Sequence, residues 1–158
     1  RLRNHDKPYR YNGDWGGFGI GYDTPASVGG ALAHKKAGRL SVAIVGDGDL
    51  NFSPGVIWTA AHHKIPLLFI VHNNRAYHAE VMIIQRMCGV RGRGNSNAHI
   101  GNVITDPNIN YAQLAKAYGM YSEGPIENPK DLAGAYQRAL TKVRAGEPAL
   151  IDVISQPR

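Results

Sequence analysis

The sequence predicts a doubly wound α/β domain with a mostly parallel sheet and helices on both of its faces. The chain has 158 residues, which is the size of one domain, and its hydrophobic content of 43% and charged content of 19% are typical of globular proteins. Short apolar runs rich in β-branched residues alternate with segments that carry helix start signals. That alternation is typical of parallel sheets covered by helices.

Four segments are predicted to be strands. The runs "LSVAIVGD" (40–47), "PLLFIVHN" (66–73) and "ALIDVIS" (149–155) are apolar along most of their length. Such runs are expected of parallel strands buried on both faces. A shorter fourth strand is expected within "GMYSEGP" (119–125).

The helices have start signals in the sequence. The pairs Thr24-Pro25, Ser53-Pro54 and Asn128-Pro129 each join a capping side chain to a proline at the first helical position. The last helix should end near Gly146. Its apolar stripe consists of Leu132, Ala135, Tyr136, Ala139, Leu140 and Val143. Residues 89–110 show no clear period and predict a long loop.

The net charge and the cysteine content indicate which ligands and which cellular location to expect. A formal net charge of +6 favours an anionic ligand. The most basic segment, "QRMCGVRGRGN", lacks the interleaved aromatic residues of a nucleic-acid surface, so no nucleic-acid partner is expected. No apolar run approaches about 18 residues, so no membrane partner is expected either. The single cysteine, Cys88, excludes an internal disulfide and favours a cytoplasmic location.

Polar side chains follow the first two predicted strands, in "GDGDLN" (46–51) and "HNNRAYH" (72–78). Ligands of open parallel sheets bind outside the carboxyl ends of the strands. If the two strands are neighbours, one crevice receives Asp47, Asp49, Asn51, Asn73 and Asn74.

Three common ligand-binding motifs do not account for this pattern. A phosphate-binding P-loop is absent, and a dinucleotide fingerprint would need a third glycine where Asn51 stands. A calcium loop would need glycine and glutamate where the chain has Phe52 and Trp58.

The remaining pattern is Gly46-Asp47-Gly48, then residues 49–72, then Asn73-Asn74. Its order and spacing resemble the thiamine-diphosphate signature of the thiamine-dependent decarboxylase and acetolactate synthase superfamily. The cofactors implied by the resemblance are thiamine diphosphate and Mg²⁺. The resemblance also implies a metal held by the side chains of Asp47 and Asn74 and by the backbone carbonyl of Ala76. This agrees with the preference of Mg²⁺ for one or two carboxylates together with phosphate oxygens.

The same resemblance predicts the residues around the diphosphate. Gly46 and Gly48 would let the backbone approach the phosphates closely. Asp49 and Leu50 follow in the same motif, and Tyr77 stands where a second helix would direct free N–H groups at the anion.

A glycine-rich segment, "GGFGIGYDTPASVGGALA" (16–33), also resembles this superfamily. The position of Ile20 is that of the large apolar residue which wedges between the two cofactor rings and bends the cofactor. The backbone of Phe18 would accept a hydrogen bond from the aminopyrimidine, and Gly19 lies between them.

Three further residues are placed by the resemblance. Asp49 stands where many members have Ser, Ala or Gly, and a carboxylate close to a diphosphate is repulsive unless it points away or meets a cation. We expect a structural role for it as the first possibility. Glu80 and His78 follow Asn74 closely and are the candidate catalytic residues, and Glu80 would handle a proton on the reaction intermediate.

The resemblance implies that residues 1–158 form the diphosphate- and Mg²⁺-binding domain of a larger enzyme, as a fragment or as a subunit. A pyrimidine-binding domain, on the same or another chain, would complete the site in a homodimer or homotetramer. The substrate would be a small 2-oxo acid, and the reaction either decarboxylation alone or decarboxylation with carboligation. The alternative is a non-catalytic or regulatory binding module that keeps the same fold.

Overall fold

A parallel sheet forms the centre of the fold in the computed structural model, which describes residues 6–11, 13 and 19–155. Among these residues the sheet has four strands, β1 (Ser41–Gly46), β2 (Leu67–Asn73), β3 (Tyr121–Ile126) and β4 (Ala149–Ile154). Their order across the sheet is β1-β2-β4-β3, and every neighbouring pair is parallel. All four strands were predicted.

Helices connect the strands and cover the sheet. They are α1 (Asp23–Lys35), α2 (Asp47–Phe52), α3 (Gly55–His62), α4 (His78–Val90), α5 (Tyr111–Ala117) and α6 (Pro129–Arg144). A short 3₁₀ turn, Pro8–Arg10, precedes them. None of the helices within the described ranges is long and apolar enough to cross a membrane.

Two apolar clusters fill the two faces of the sheet. On β2, Leu67, Phe69 and Val71 point into the cluster formed with α1, α2, α3 and α5, whereas Leu68 points into the cluster formed with α6. This alternation explains why β2 is apolar along its length: both faces of the strand are buried. The predicted fold class, with helices on both faces, is confirmed.

The first strand departs from that pattern. Val42 and Ile44 of β1 are 51% and 58% exposed, while Ala43 and Val45 between them are buried. Because β1 is an edge strand of the described sheet, α6 reaches β2 but does not cover β1. The expectation that this strand is buried on both faces is therefore wrong for the described residues.

Only one of the three predicted caps forms as expected. The side chain of Asn128 accepts a hydrogen bond from the Lys130 N–H, and α6 begins at Pro129. By contrast, α1 begins at Asp23 and α3 at Gly55, both without a side-chain cap. Thr24 and Ser53 are not caps because their hydroxyl groups bond to other segments of the chain.

Two helices were not predicted from the sequence. The segment after β1 enters α2 directly at Asp47, although Gly and Asp are weak helix formers. The short helix α5 begins at Tyr111, with Asn110 as its cap. The predicted loop is confirmed over residues 91–110, because α4 extends to Val90.

Candidate cofactor site

The two polar segments meet at the carboxyl edge of the sheet. Strands β1 and β2 are hydrogen-bonded neighbours, and Gly46 at the end of β1 lies opposite His72 near the end of β2. Residues 46–51 and 72–78 therefore follow adjacent strand ends on the same edge, as the sequence predicted.

Asp47 is the most unusual side chain at this edge. It is only 2% exposed at the start of α2, and its Oδ2 atom has no hydrogen-bond partner among the described residues. Burial raises the pKa of the Asp47 carboxyl, against the lowering effect of nearby backbone N–H groups of Gly48, Arg75 and Ala76. A buried carboxylate oxygen without a donor fits a cation, because a buried charge is costly unless it is paired or bound to metal.

The loop after β2 approaches this carboxylate through the backbone N–H groups of Arg75 and Ala76. The Oδ1 atom of Asn74 accepts a hydrogen bond from the Ala76 N–H at 3.0 Å, which closes a tight loop around Arg75. Arg75 has a positive φ of 58°, a conformation that few residues other than glycine adopt. Asn74 is half-buried and Ala76 buried, so both lie within the crevice rather than on an exposed loop tip.

The long loop, residues 91–110, is hydrogen-bonded to the segment that contains Ala76. Ala76 forms an isolated antiparallel bridge with Val103. On one side of the bridge, the carbonyl of Arg75 accepts a hydrogen bond from the Ile104 N–H at 2.7 Å. On the other side, the Tyr77 N–H donates a hydrogen bond to the Asn102 carbonyl at 2.8 Å. Neither bond uses the Ala76 carbonyl, the oxygen that the resemblance implies as a metal ligand.

Gly48 is required by close contact. A Cβ atom at this position would lie 2.5 Å from two carbons of the Tyr77 ring. The same ring meets Phe52 edge-on, with 5.8 Å between ring centroids. Tyr77 thus packs against α2 from the N-terminal end of α4, and it joins the two predicted cofactor segments directly.

A buried polar network lies behind the site and was not found from the sequence. Asp152 is fully buried in β4 and accepts hydrogen bonds from the Asn73 side chain and from the Tyr111 N–H, both at 3.0 Å. The Tyr111 hydroxyl in turn donates to the Asp47 carbonyl at 3.1 Å. Burial raises the pKa of Asp152. The signal was a single acidic residue within the apolar run "ALIDVIS".

Ile20 occupies an exposed turn before α1. Its side chain is 44% exposed, and the turn is closed by a hydrogen bond from the Tyr22 N–H to the Gly19 carbonyl. An exposed branched apolar side chain in a tight turn fits the predicted wedge. Phe18, the predicted backbone acceptor, lies outside the described residues.

The contacts of Asp49 and Leu50 argue against a ligand-binding role for their side chains. Both carboxylate oxygens of Asp49 accept hydrogen bonds from the start of α1, from Gly21 and from Thr24. Leu50 is fully buried in the core, so that only its backbone is available at this edge. These arrangements favour the structural role that we expected first for Asp49.

The predicted catalytic residues lie at the start of α4. His78 is its first residue, Glu80 is the third, and both are half-buried. The next turns carry Met82, Ile83, Ile84 and Met87, which are between 37% and 61% exposed. Among the described residues, α4 buries none of its side chains.

No group of three or more His, Cys, Asp or Glu side chains gathers into a metal cluster in the described part of the chain. A metal at this edge would therefore depend on Asp47, the Asn74 amide oxygen, a backbone carbonyl and oxygens supplied by the ligand. That set of hard oxygen donors suits Mg²⁺.

Together, the fold and this edge define an α/β domain with a candidate ligand site at the carboxyl ends of β1 and β2. Residues 1–153 match the model of the family described as thiamine pyrophosphate enzyme, C-terminal TPP binding domain. The chain belongs to this family. Thiamine pyrophosphate and thiamine diphosphate are two names for the same cofactor.

Individual relatives agree with the family match. The chain is 29% identical over 138 residues to benzoylformate decarboxylase of Pseudomonas aeruginosa, covering 87% of this chain and 23% of that protein. It is 28% identical over 148 residues to the acetolactate synthase isozyme 3 large subunit of Escherichia coli, covering 94% and 24%. A thiamine diphosphate-dependent 4-hydroxybenzoylformate decarboxylase of Rhodococcus jostii RHA1 has a similar structure, with a TM-score of 0.69, 27% identity and coverage of 88% and 24%. The chain thus spans about a quarter of the length of these relatives.

Proposed function

We propose that this chain binds thiamine diphosphate and Mg²⁺ as the diphosphate-binding part of a thiamine-dependent lyase or carboligase that acts on 2-oxo acids. The observation that carries the proposal is the buried Oδ2 atom of Asp47, which has no hydrogen-bond partner among the described residues and lies beside the Asn74–Ala76 loop. The names of the similar proteins, decarboxylases and acetolactate synthases, support the reaction class.

The residues divide between metal and cofactor. Asp47, the Asn74 side chain and the Ala76 carbonyl would hold Mg²⁺. Gly46, Gly48, Tyr77 and the backbone of Asp49 and Leu50 would line the diphosphate end, and the turn with Gly19 and Ile20 would meet the rings. The backbone of Phe18, which lies outside the described residues, is proposed as the acceptor for the aminopyrimidine. When bound, thiamine diphosphate supplies carbanion stabilisation next to the substrate carbonyl. Glu80 and His78, at the start of α4, would move protons on the substrate-derived group.

The proposed site needs a second protein domain to be complete. In the described structure the Ile20 side chain is open on one side, and α4 presents an apolar surface with no partner in this domain. We infer that residues 1–158 form one domain of a larger enzyme and that a pyrimidine-binding domain, on the same or another chain, covers this surface. The active form would then be a homodimer or homotetramer.

Calorimetric titration with thiamine diphosphate, with and without Mg²⁺, tests the proposal in the full-length protein. We expect Asp47→Asn to abolish Mg²⁺-dependent binding, because it removes the only charged side chain among the proposed metal ligands, and Asn74→Ala to weaken it less. Asp131→Asn removes the same charge from the exposed first turn of α6 and is the matched control. If Asp47→Asn binds the cofactor as tightly as Asp131→Asn, the metal assignment is wrong. If the parent protein binds no cofactor, the chain is a module that keeps the fold without the function.

A further inference from the structure

The carboxylate of Asp49 bonds to a segment far from it in sequence. Its Oδ1 atom accepts a hydrogen bond from the Gly21 N–H at 2.7 Å. Its Oδ2 atom accepts from the Thr24 N–H at 3.2 Å and from the Thr24 hydroxyl at 2.9 Å. One side chain of α2 therefore holds both the turn that follows Ile20 and the first turn of α1.

A second side chain strengthens the same connection. The hydroxyl of Ser53, directly after α2, donates to the Gly21 carbonyl at 3.1 Å. Gly21 thus has its N–H and its carbonyl bonded to Asp49 and Ser53. A Cβ atom on Gly21, whose φ is +90°, would lie 2.9 Å from the Cβ of Phe52. The backbone of the turn therefore lies directly against the Phe52 side chain of α2, and only glycine fits at this position.

The start of α1 depends on this contact. The residue before the helix, Tyr22, provides no side-chain cap, so the first N–H groups of α1 need acceptors from elsewhere. Asp49 supplies one, and its negative charge is favourable at the positive end of the helix. Thr24 is fully buried, so its hydroxyl would be left without a partner if the carboxylate were removed.

The two aspartates of "GDGDLN" therefore differ in their hydrogen bonding and in their roles. Within the described ranges, one buried oxygen of Asp47 has no donor, whereas both oxygens of Asp49 accept hydrogen bonds from Gly21 and Thr24. We propose that Asp49 is a positioning residue, which holds the Ile20 turn against α2 so that the ring-contacting turn and the helix that carries Asp47 form one rigid unit. The proposal rests on the proposed function for the roles of Ile20 and Asp47.

The lock itself is measured without cofactor. Backbone amide hydrogen exchange over residues 19–26 of the ligand-free full-length protein reports whether the turn is held. We expect Asp49→Ala to accelerate exchange of the Gly21 and Thr24 amides about tenfold or more, since these N–H groups lose a charged acceptor. Thr24→Val, which keeps the side-chain shape, should shift exchange in the same direction by less, and Thr24→Ser should restore the parent rate.

The positioning role is measured with cofactor and substrate. In Asp49→Ala we expect the Mg²⁺ concentration for half-saturation to stay near that of the parent, while kcat falls by about 10- to 100-fold, because the wedge is misplaced and the metal ligands are not. Thr24→Val should lower kcat less, and Thr24→Ser should rescue it. The double variant Asp49→Ala/Thr24→Val should be no worse than Asp49→Ala alone, since both changes break one contact.

Several results would overturn the proposal. Unchanged amide exchange in Asp49→Ala and Thr24→Val would show that the turn is not held by Asp49. A loss of Mg²⁺ affinity as large as that of Asp47→Asn would make Asp49 a metal ligand. Faster exchange with unchanged kcat would show a contact that positions nothing. Failure of the parent to bind thiamine diphosphate would refute the proposed function and with it the positioning role, while the exchange measurement would still report on the contact.

Discussion

Replacing Gly48 by alanine tests the contact that joins α2 to the start of α4. The added Cβ would lie 2.5 Å from two carbons of the Tyr77 ring. Non-bonded carbons rest about 3.5–4.0 Å apart, so the ring must move by roughly 1 Å or more. Phe52 packs edge-on against the same ring and resists that movement. We expect the free energy of unfolding to fall by about 1–3 kcal/mol, as for other overpacked sites.

Gly46 provides the matched control two residues earlier. A Cβ there meets nothing within 4 Å. Its φ of −71° and ψ of 149° suit any residue. Gly46→Ala should therefore leave the free energy of unfolding unchanged or raise it by about 0.4–1 kcal/mol, because alanine restricts the unfolded chain. Urea denaturation of both variants, followed by far-UV circular dichroism, compares the two glycines within one motif.

A second substitution separates overpacking from a backbone effect. In the Gly48→Ala background, Tyr77→Ala removes the ring that the new methyl group would meet. The double variant should then be more stable than the sum of the two single effects predicts. If Gly48→Ala and Gly46→Ala unfold at the same urea concentration, Tyr77 does not pack on Gly48 and the link between the two segments is wrong.

The remaining predictions concern other parts of the chain. Burial raises the pKa of Asp152, so the stability it contributes is fully present below the unfolded value of about 3.9 and is lost as pH rises through the folded pKa. The free energy of unfolding should consequently fall less steeply with pH above about 3.9 in Asp152→Asn than in the parent, as urea titrations at several pH values would show. Asn128→Ala should lower the free energy of unfolding by about 1 kcal/mol, since the Lys130 N–H loses its cap; an unchanged urea midpoint would contradict this. Glu80→Gln should leave cofactor affinity unchanged but slow formation of the final product after CO₂ release, seen as CO₂ appearing ahead of product; equal turnover would reduce Glu80 to a structural residue. Light scattering on active protein should show a dimer or larger, and a fully active monomer of this chain alone would contradict the need for a second domain.

The strands could be predicted from the sequence because their signal is local. The composition of an apolar β-branched run such as residues 66–73 predicts a strand, although β1 shows that such a run need not be buried on both faces. The pairing of Gly-Asp-Gly with Asn-Asn likewise follows from parallel topology, since both segments leave the sheet at the same edge.

The two caps that do not form and the helix α2 could not be predicted, because they depend on contacts between residues distant in sequence. Thr24 and Ser53 have the composition of helix caps, yet their hydroxyl groups bond to Asp49 and Gly21. The helix α2 forms despite the weak propensity of its residues, because Leu50 packs in the core and Asp49 binds α1. No local pattern distinguishes these positions from a turn with two ordinary caps.

The outer edge of β1, with which no other strand pairs in the part of the chain that the structure describes, has a practical consequence for work with the isolated chain. Its run "SVAIVG" has no charge, proline or bulge, the features by which edge strands usually resist pairing with other molecules. Val42 and Ile44 add an exposed apolar face to that edge. At high concentration, separate copies of this chain will therefore tend to aggregate through β1. Val42→Lys or Ile44→Lys is the simplest substitution to increase the yield of unaggregated protein.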